Sequence, residues 1–294
     1  MEINQLEYFV AVAECASVTR AAERCHVAQP SLSQQLQKLE REFGRQLFDR
    51  AGRGMLLTEA GKALLPRARR ILAEVSDAAR SIQRDIDEGV GSLAIGAIPT
   101  VAPYLLPDAV AALRKARPAC ELTIREDLTE RLIEALAHGE IDCAFFGTQI
   151  EHPLLTCDLL GEEELLVVTP PRSKWHGELV PEQLKSEPTI VLDEMHCLGR
   201  QIEGFCSARG WGRRIVCRST QLATILQLVS TGMGISLVPE MALPKSGKSL
   251  RKVRLKQNRP KRPITVAFRR DRQRPAAAQD LVAAVKGKLK QGAA

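Results

Sequence analysis

At 294 residues the chain exceeds one ordinary domain, and with 45% hydrophobic but only 4% aromatic residues it is expected to build two or three aliphatic cores. No apolar run reaches the ~18 residues of a membrane span, and no basic stretch with an apolar run behind it opens the chain, so a cytoplasmic protein without a membrane partner is expected. The net charge of +7 says little by itself: residues 245–294 hold 16 basic and 2 acidic groups, a solvated surplus, whereas 29–70 hold 9 against 4, the local excess that phosphate contact requires.

The segment from Asn4 to Gly44 predicts three short helices. Asn4 with Glu7 resembles a capping box, and Leu6, Phe9, Val10 and Ala13 share a face. Ser17 and Thr19 are candidate caps for a second helix. A third opens near Pro30, is apolar at Leu32, Leu36, Leu39 and Phe43, and stops at Gly44. Gln34, Gln37, Lys38 and Arg41 then point outward, with Gln29, Ser31 and Ser33 crowding the N-terminal end. Glutamine pairs bidentately with adenine and serine suits a phosphate, as a recognition helix needs. Two short strands follow, around Leu47 to Arg50 and Met55 to Thr58, with Arg50 and Arg53 on the hairpin in reach of a DNA backbone or minor groove.

The run "AAERCHVAQPSLSQQLQKLEREFGRQLFDRAGRGMLLTEAG" resembles the winged helix-turn-helix of LysR-type transcriptional regulators, with Glu40, Leu47, Phe48, Arg50, Leu57, Thr58 and Gly61 where that family's pattern places them. The resemblance implies a DNA-binding domain over 1–58 that reads promoter DNA with Gln29, Pro30, Ser31, Ser33, Gln34, Gln37, Lys38, Arg50 and Arg53. From Glu59 to about Asp87, apolar residues at Leu64, Ala68, Ile71, Val75, Ala78 and Ile82 form a heptad seam. In the family such a segment (59–88) is a linker helix that pairs subunits, and a dimer of dimers is implied.

From Leu93 short apolar strands alternate with helices near 103–116 and 129–138, predicting α/β architecture. The resemblance implies a two-lobed, periplasmic-binding-protein-like effector domain over 89–294. Lobe I is assigned 89–163 and 268–294 and lobe II 164–267, with crossings near 163–165 and 264–268. No phosphate-binding glycine loop, paired metal-ligand motif or nucleophile elbow occurs, so neither a metal nor another cofactor is expected, nor an enzyme. Cys15, Cys25, Cys120, Cys143, Cys157 and Cys217 are read as small buried apolar residues.

The remaining pair, in "HCLGRQIEGFC", resembles the redox segment of OxyR-type peroxide sensors, a branch of the same family, and "GAIPTVAPYLLP" and "EDLTERLIEAL" resemble that branch around Thr100 and Thr129. What this implies is a hydrogen peroxide pocket of Thr100, Thr129, His196 and Cys197. Sulfenic acid would form on Cys197 and condense with Cys206 to a disulfide. A helix N-terminus or a cation must lower the Cys197 pKa, with His196, Arg200 or Arg269 as donors of charge and Arg269 as the family-matched candidate. On one continuous helix the two cysteines stand roughly 13 Å apart, beyond the ~7 Å that a disulfide tolerates, so bonding requires refolding. Gly199 is expected to loosen that helix, Met195 to narrow the pocket, and Cys217 to compete for Cys206. RNA polymerase and a glutaredoxin or thioredoxin are implied as partners. Two other readings stay open: a regulator with a small organic effector between the lobes, and a thiol peroxidase localised by its DNA-binding module.

Overall fold

The computed structural model describes residues 1–51, 54–86, 91–175, 177–208, 214–243, 250–256 and 259–292. The chain forms two compact units that meet in sequence at Glu88 and Gly89.

In the first unit α1 (Ile3–Cys15), α2 (Val18–Arg24) and α3 (Gln29–Phe43) precede a hairpin of β1 (Phe48–Ala51) and β2 (Gly54–Leu57), and α4 (Glu59–Ile86) ends it. Leu6, Phe9, Val12, Leu32, Leu36 and Leu39 form the shared core, with Phe48 of the hairpin 5.4 Å from Phe9 between ring centroids. Helix α1 starts one residue before the expected Asn4 cap. Its cap is Glu2, whose amide donates to Gln5 Oε1 at 2.9 Å, so the reciprocal pair is Glu2 with Gln5. Ser17 caps α2 as expected, and α3 ends on Gly44 at φ 63°.

The residues of the family-like pattern lock the hairpin onto α3. Glu40 Oε1 accepts from the Leu47 and Phe48 amides, and Thr58 Oγ1 donates to Gln46 O while accepting from the Gly61 amide. A Cβ on Gly61 would stand 2.2 Å from Leu47 O, so only glycine lets α4 start against the strand. The seam on α4 divides. Leu64, Ala68 and Ile71 pack on the unit's own core, whereas Val75 and Ala78 are exposed; Ile82 lies where side chains are not described.

In the second unit the order is β3 (Ser92–Ala97), α5 (Ala102–Ala116), β4 (Glu121–Glu126), α6 (Thr129–Ala137), β5 (Cys143–Phe146), β6 (Leu155–Thr169), β7 (Glu178–Leu179), β8 (Pro188–Leu192), α7 (Cys197–Ser207), β9 (Arg214–Ser219), α8 (Leu222–Ser230), β10 (Ser236–Pro239), β11 (Arg251–Leu255), β12 (Lys261–Arg269) and α9 (Ala276–Gly292). One mixed sheet runs β4-β3-β5-β12-β6-β11-β7, with β10 also on β6, and β8 and β9 pair in parallel apart from it. The sequence alternation shows only the apolar end of β6. Its first ten residues, Leu155 to Glu164, pair antiparallel with β12, and Leu165–Thr169 pair with β10 and β11.

That strand links two hydrophobic cores. The first gathers β3, β5, β12, α5, α6 and α9 around Leu93, Ile95, Phe145, Phe146 and Val266, and the second gathers Leu165 to Val168, Ile190, Ile225 and Val238. Along β6 the second core begins at Leu165; on the return, Leu255 is in the second core and Ile264, Val266 and Ala267 are in the first. A strand pairing along its whole length with the first half of β6 must share its core.

Candidate functional site

Two sets of residues carry chemistry, one in each unit. On α3 the apolar stripe Leu32, Leu36 and Leu39 is buried, which turns Gln29, Pro30, Ser31, Gln34, Gln37 and Lys38 outward and leaves Ser33 half-buried. Lys38 Nζ pairs with Glu2 at 3.1 Å, an exposed contact that a phosphate could replace. Arg50 stands on β1 opposite Met55, and Arg53 lies outside the described residues.

In the second unit one narrow crevice is lined by Ile98, Pro99, Thr100, Leu128, Thr129, His196 and Cys197. The structure thus brings together all four residues expected to hold peroxide, from three elements. Thr100 follows β3 and is 2% exposed, Thr129 opens α6, and Cys197 is the first residue of α7 behind the cap residue His196. A residue in the first turn of a helix lies beside backbone amides that have no partner within the helix. The turn before it is tied down: the Asp193 amide donates to Ser219 O, Asp193 Oδ1 accepts from the Met195 amide, and Asp193 O accepts from the His196 amide.

Burial lowers the His196 pKa below the usual histidine value, against a backbone hydrogen bond at Thr220 and the Asp193 charge, and Arg200 lowers it further. His196 therefore sits beside Cys197 as a neutral ring rather than a cation, and its buried Nε2 has no hydrogen-bond partner among the described residues. Arg200 reaches away, to Glu194 O at 3.1 Å and Glu130 Oε1 at 2.8 Å.

Arg269 is not the arginine at this crevice. Its Nε and Nη2 donate to Asp271 at 2.8 and 2.5 Å. The arginine there is Arg262, 1% exposed, whose Nη1 donates to Thr100 Oγ1 at 3.1 Å and Nη2 to Thr100 O at 3.0 Å. Seven residues of strand separate them, roughly 23 Å, and an odd separation puts them on opposite faces. Parity was the available signal, because Arg262 shares a strand face with Ile264, Val266 and Phe268, where a lone charge is out of place. Gln201 was missed as well; from the first turns of α7 its Nε2 donates to Gly147 O at 2.8 Å.

Cys206 ends the same unbroken helix. It is 2% exposed in the second core, lined by Ile190, Ile202, Ile235 and Leu237, whereas Cys197 packs with the first core. Gly199 does not loosen α7. A Cβ there would lie 2.3 Å from Asp193 O, so glycine is what seats the helix against the end of β8. Met195 is 44% exposed. Of the six cysteines expected to be buried, only Cys143 is; Cys15, Cys25, Cys120, Cys157 and Cys217 are half-buried, packed against the margins of the cores. Among the described residues no cluster of metal-ligating side chains occurs.

Both units of the chain resemble known proteins. Residues 3–62 match the model of the bacterial regulatory helix-turn-helix protein, lysR family, and residues 87–290 that of the LysR substrate binding domain. The DNA-binding transcriptional dual regulator OxyR of Escherichia coli (strain K12) is 37% identical over 250 residues, covering 84% of this chain and 82% of that protein. A full-length OxyR structure from Pseudomonas aeruginosa superposes with TM-score 0.76 at 27% identity, over 97% of this chain and 95% of that one. A hydrogen-peroxide-bound cysteine variant of Corynebacterium glutamicum OxyR gives TM-score 0.63 at 30% identity, over 99% and 93%. With both modules matched in order, and OxyR proteins among its relatives, the chain belongs to the LysR family of transcriptional regulators.

Proposed function

We propose that this regulator responds to hydrogen peroxide through Cys197 and Cys206. One observation carries the reading: Thr100, Thr129, His196 and Cys197 line a single crevice, with the thiol at the N-terminus of α7. The two threonine hydroxyls donate to and accept from HOOH, and the Arg262 guanidinium holds Thr100 from behind. The Cys197 thiolate attacks one oxygen and the O–O bond breaks toward the other, which leaves as hydroxide. Sulfur is oxidised to sulfenic acid and peroxide is reduced to water. Cys206 then displaces water from that acid to give a disulfide.

The helix makes this reaction a switch. Cys197 and Cys206 stand roughly 13 Å apart along α7, so the disulfide forms only if the helix unwinds and one thiol leaves its core. Refolding between two cores changes how the second unit packs, and α4, pairing subunits through its exposed Val75 and Ala78 end, carries that change to two recognition helices on promoter DNA. In this reading the active form contacts RNA polymerase, and a glutaredoxin or thioredoxin restores the thiols. The assembly is a dimer of dimers in the cytoplasm.

Thiol mapping by mass spectrometry after about one equivalent of hydrogen peroxide tests the proposal. A Cys197–Cys206 disulfide in the unmodified chain, with sulfenic acid on Cys197 in Cys206→Ser, is the expected result. Both thiols remaining free while the protein still binds DNA would overturn it.

A further inference from the structure

Behind the crevice lies a buried ion pair between Arg262 and Glu163. Arg262 is 1% exposed and Glu163, on β6, 7%. Arg262 Nε donates to Glu163 Oε2 at 2.8 Å, which leaves the Nη1 and Nη2 edge for Thr100. Glu163 Oε1 accepts from the Met241 amide at 2.6 Å, in the 3-10 turn Glu240–Ala242 after β10. The carboxylate is therefore held by backbone on one side and holds the guanidinium on the other.

The consequence falls on the Thr100 hydroxyl, which has one hydrogen to give. Since Arg262 Nη1 already donates to Oγ1, the hydroxyl's own hydrogen must point elsewhere, and Thr100 lines the crevice together with Cys197. An arginine free to rotate would leave that choice open. Burial pushes the Glu163 carboxyl up and Glu240 adds to this, while Arg262 and the Met241 amide pull it down; the Tyr104 hydroxyl is the other titratable group beside the pair.

We propose that Glu163 is a positioning residue for the peroxide reaction: by fixing Arg262 on Thr100, it commits the Thr100 hydroxyl to donating toward the O–O bond that breaks. This deepens the peroxide reading and rests on it. No net proton passes through Thr100 or Glu163. Sulfur takes one OH group of the peroxide, the electron pair of the O–O bond goes to the other oxygen, and that oxygen leaves as hydroxide and is neutralised by the proton that the Cys197 thiol released to solvent.

The test compares two rates at Cys197 in the Cys206→Ser background: oxidation by hydrogen peroxide, and alkylation by iodoacetamide, which needs the thiolate but no O–O polarisation. Glu163→Gln is expected to slow peroxide about tenfold, a fraction of what losing a direct donor costs, and to leave alkylation unchanged. In an Arg262→Met background it should add nothing further. Glu163→Asp, which keeps the charge with a shorter reach, should fall between and serves if the glutamine variant does not fold. An unchanged peroxide rate, equal slowing of both reactions, or a Glu163 effect that persists without Arg262 would overturn the role. A parent protein whose Cys197 ignores peroxide but is alkylated would bring down the peroxide reading itself, and this inference with it.

Discussion

The two ends of α7 hold the same side chain in opposite surroundings. Cys197 sits at free helix amides, beside two threonines and a neutral histidine, with Arg262 bonded to the first of those threonines; Cys206 sits nine residues on among Ile190, Ile202, Ile235 and Leu237. The first setting surrounds the sulfur with polar groups, and the second packs it as a small hydrophobe. In the proposed reaction, attack and resolution are separated by position within one helix, and each cysteine is anchored to a different core. A thiol pair built for rapid closure would be adjacent; this pair is held apart by folding.

The sharpest way to break the contrast is to remove one thiol at a time. Cys197→Ser is expected to abolish all peroxide-dependent modification of the pair, whereas Cys206→Ser keeps sulfenic acid formation and loses only the disulfide, as read by mass spectrometry. Equal loss in both variants would mean that the ends are equivalent.

Next in size is the helix seat. Gly199→Ala puts a methyl 2.3 Å from Asp193 O and should destabilise the protein by about 1–3 kcal/mol in urea unfolding, with altered Cys197 reactivity. Gly204→Ala on the same helix meets nothing within 4 Å, and should instead stabilise it by about 0.5–1 kcal/mol. The second change also holds α7 together against unwinding, so it should slow disulfide formation without slowing sulfenic acid formation.

The smallest effect concerns pH. Burial lowers the His196 pKa, so the unfolded chain binds this proton more readily than the folded one. Stability from this group is fully present above about pH 6.5, the unfolded value, and falls as pH drops through that value toward the folded one. His196→Gln should flatten that acid limb in urea titrations; an unaltered slope would remove the neutral ring from the description of the crevice.

Much of this was legible in the sequence because the signals were local. Pro30, Gly44 and the Leu32, Leu36, Leu39 spacing define α3 by themselves, and the cysteine segment with its two threonine motifs names the crevice residues. What escaped depends on contacts far apart in the chain. Arg262 meets Thr100 across 162 positions and Glu163 across 99, so local sequence offers strand parity as a hint of its burial but not its partners. The polar first half of β6 escaped for a related reason: its strand character comes from β12, about a hundred residues later, rather than from its own alternation. Gly199 was misread because the backbone it approaches belongs to the preceding turn, and glycine's helix-weakening tendency is outweighed there by the room it leaves.

The unbroken course of α7 also bears on time. If the ends of a helix must come together before a bond can close between them, the helix sets a threshold on entry, since brief or weak exposure gives a sulfenic acid that a reductant can clear before the segment opens. Once closed, the bond keeps the helix from re-forming, and the disappearance of the oxidant does not undo it. Under the proposed switch, a molecule built this way would store a record of its stimulus, written after a delay and erased only by a separate reducing partner.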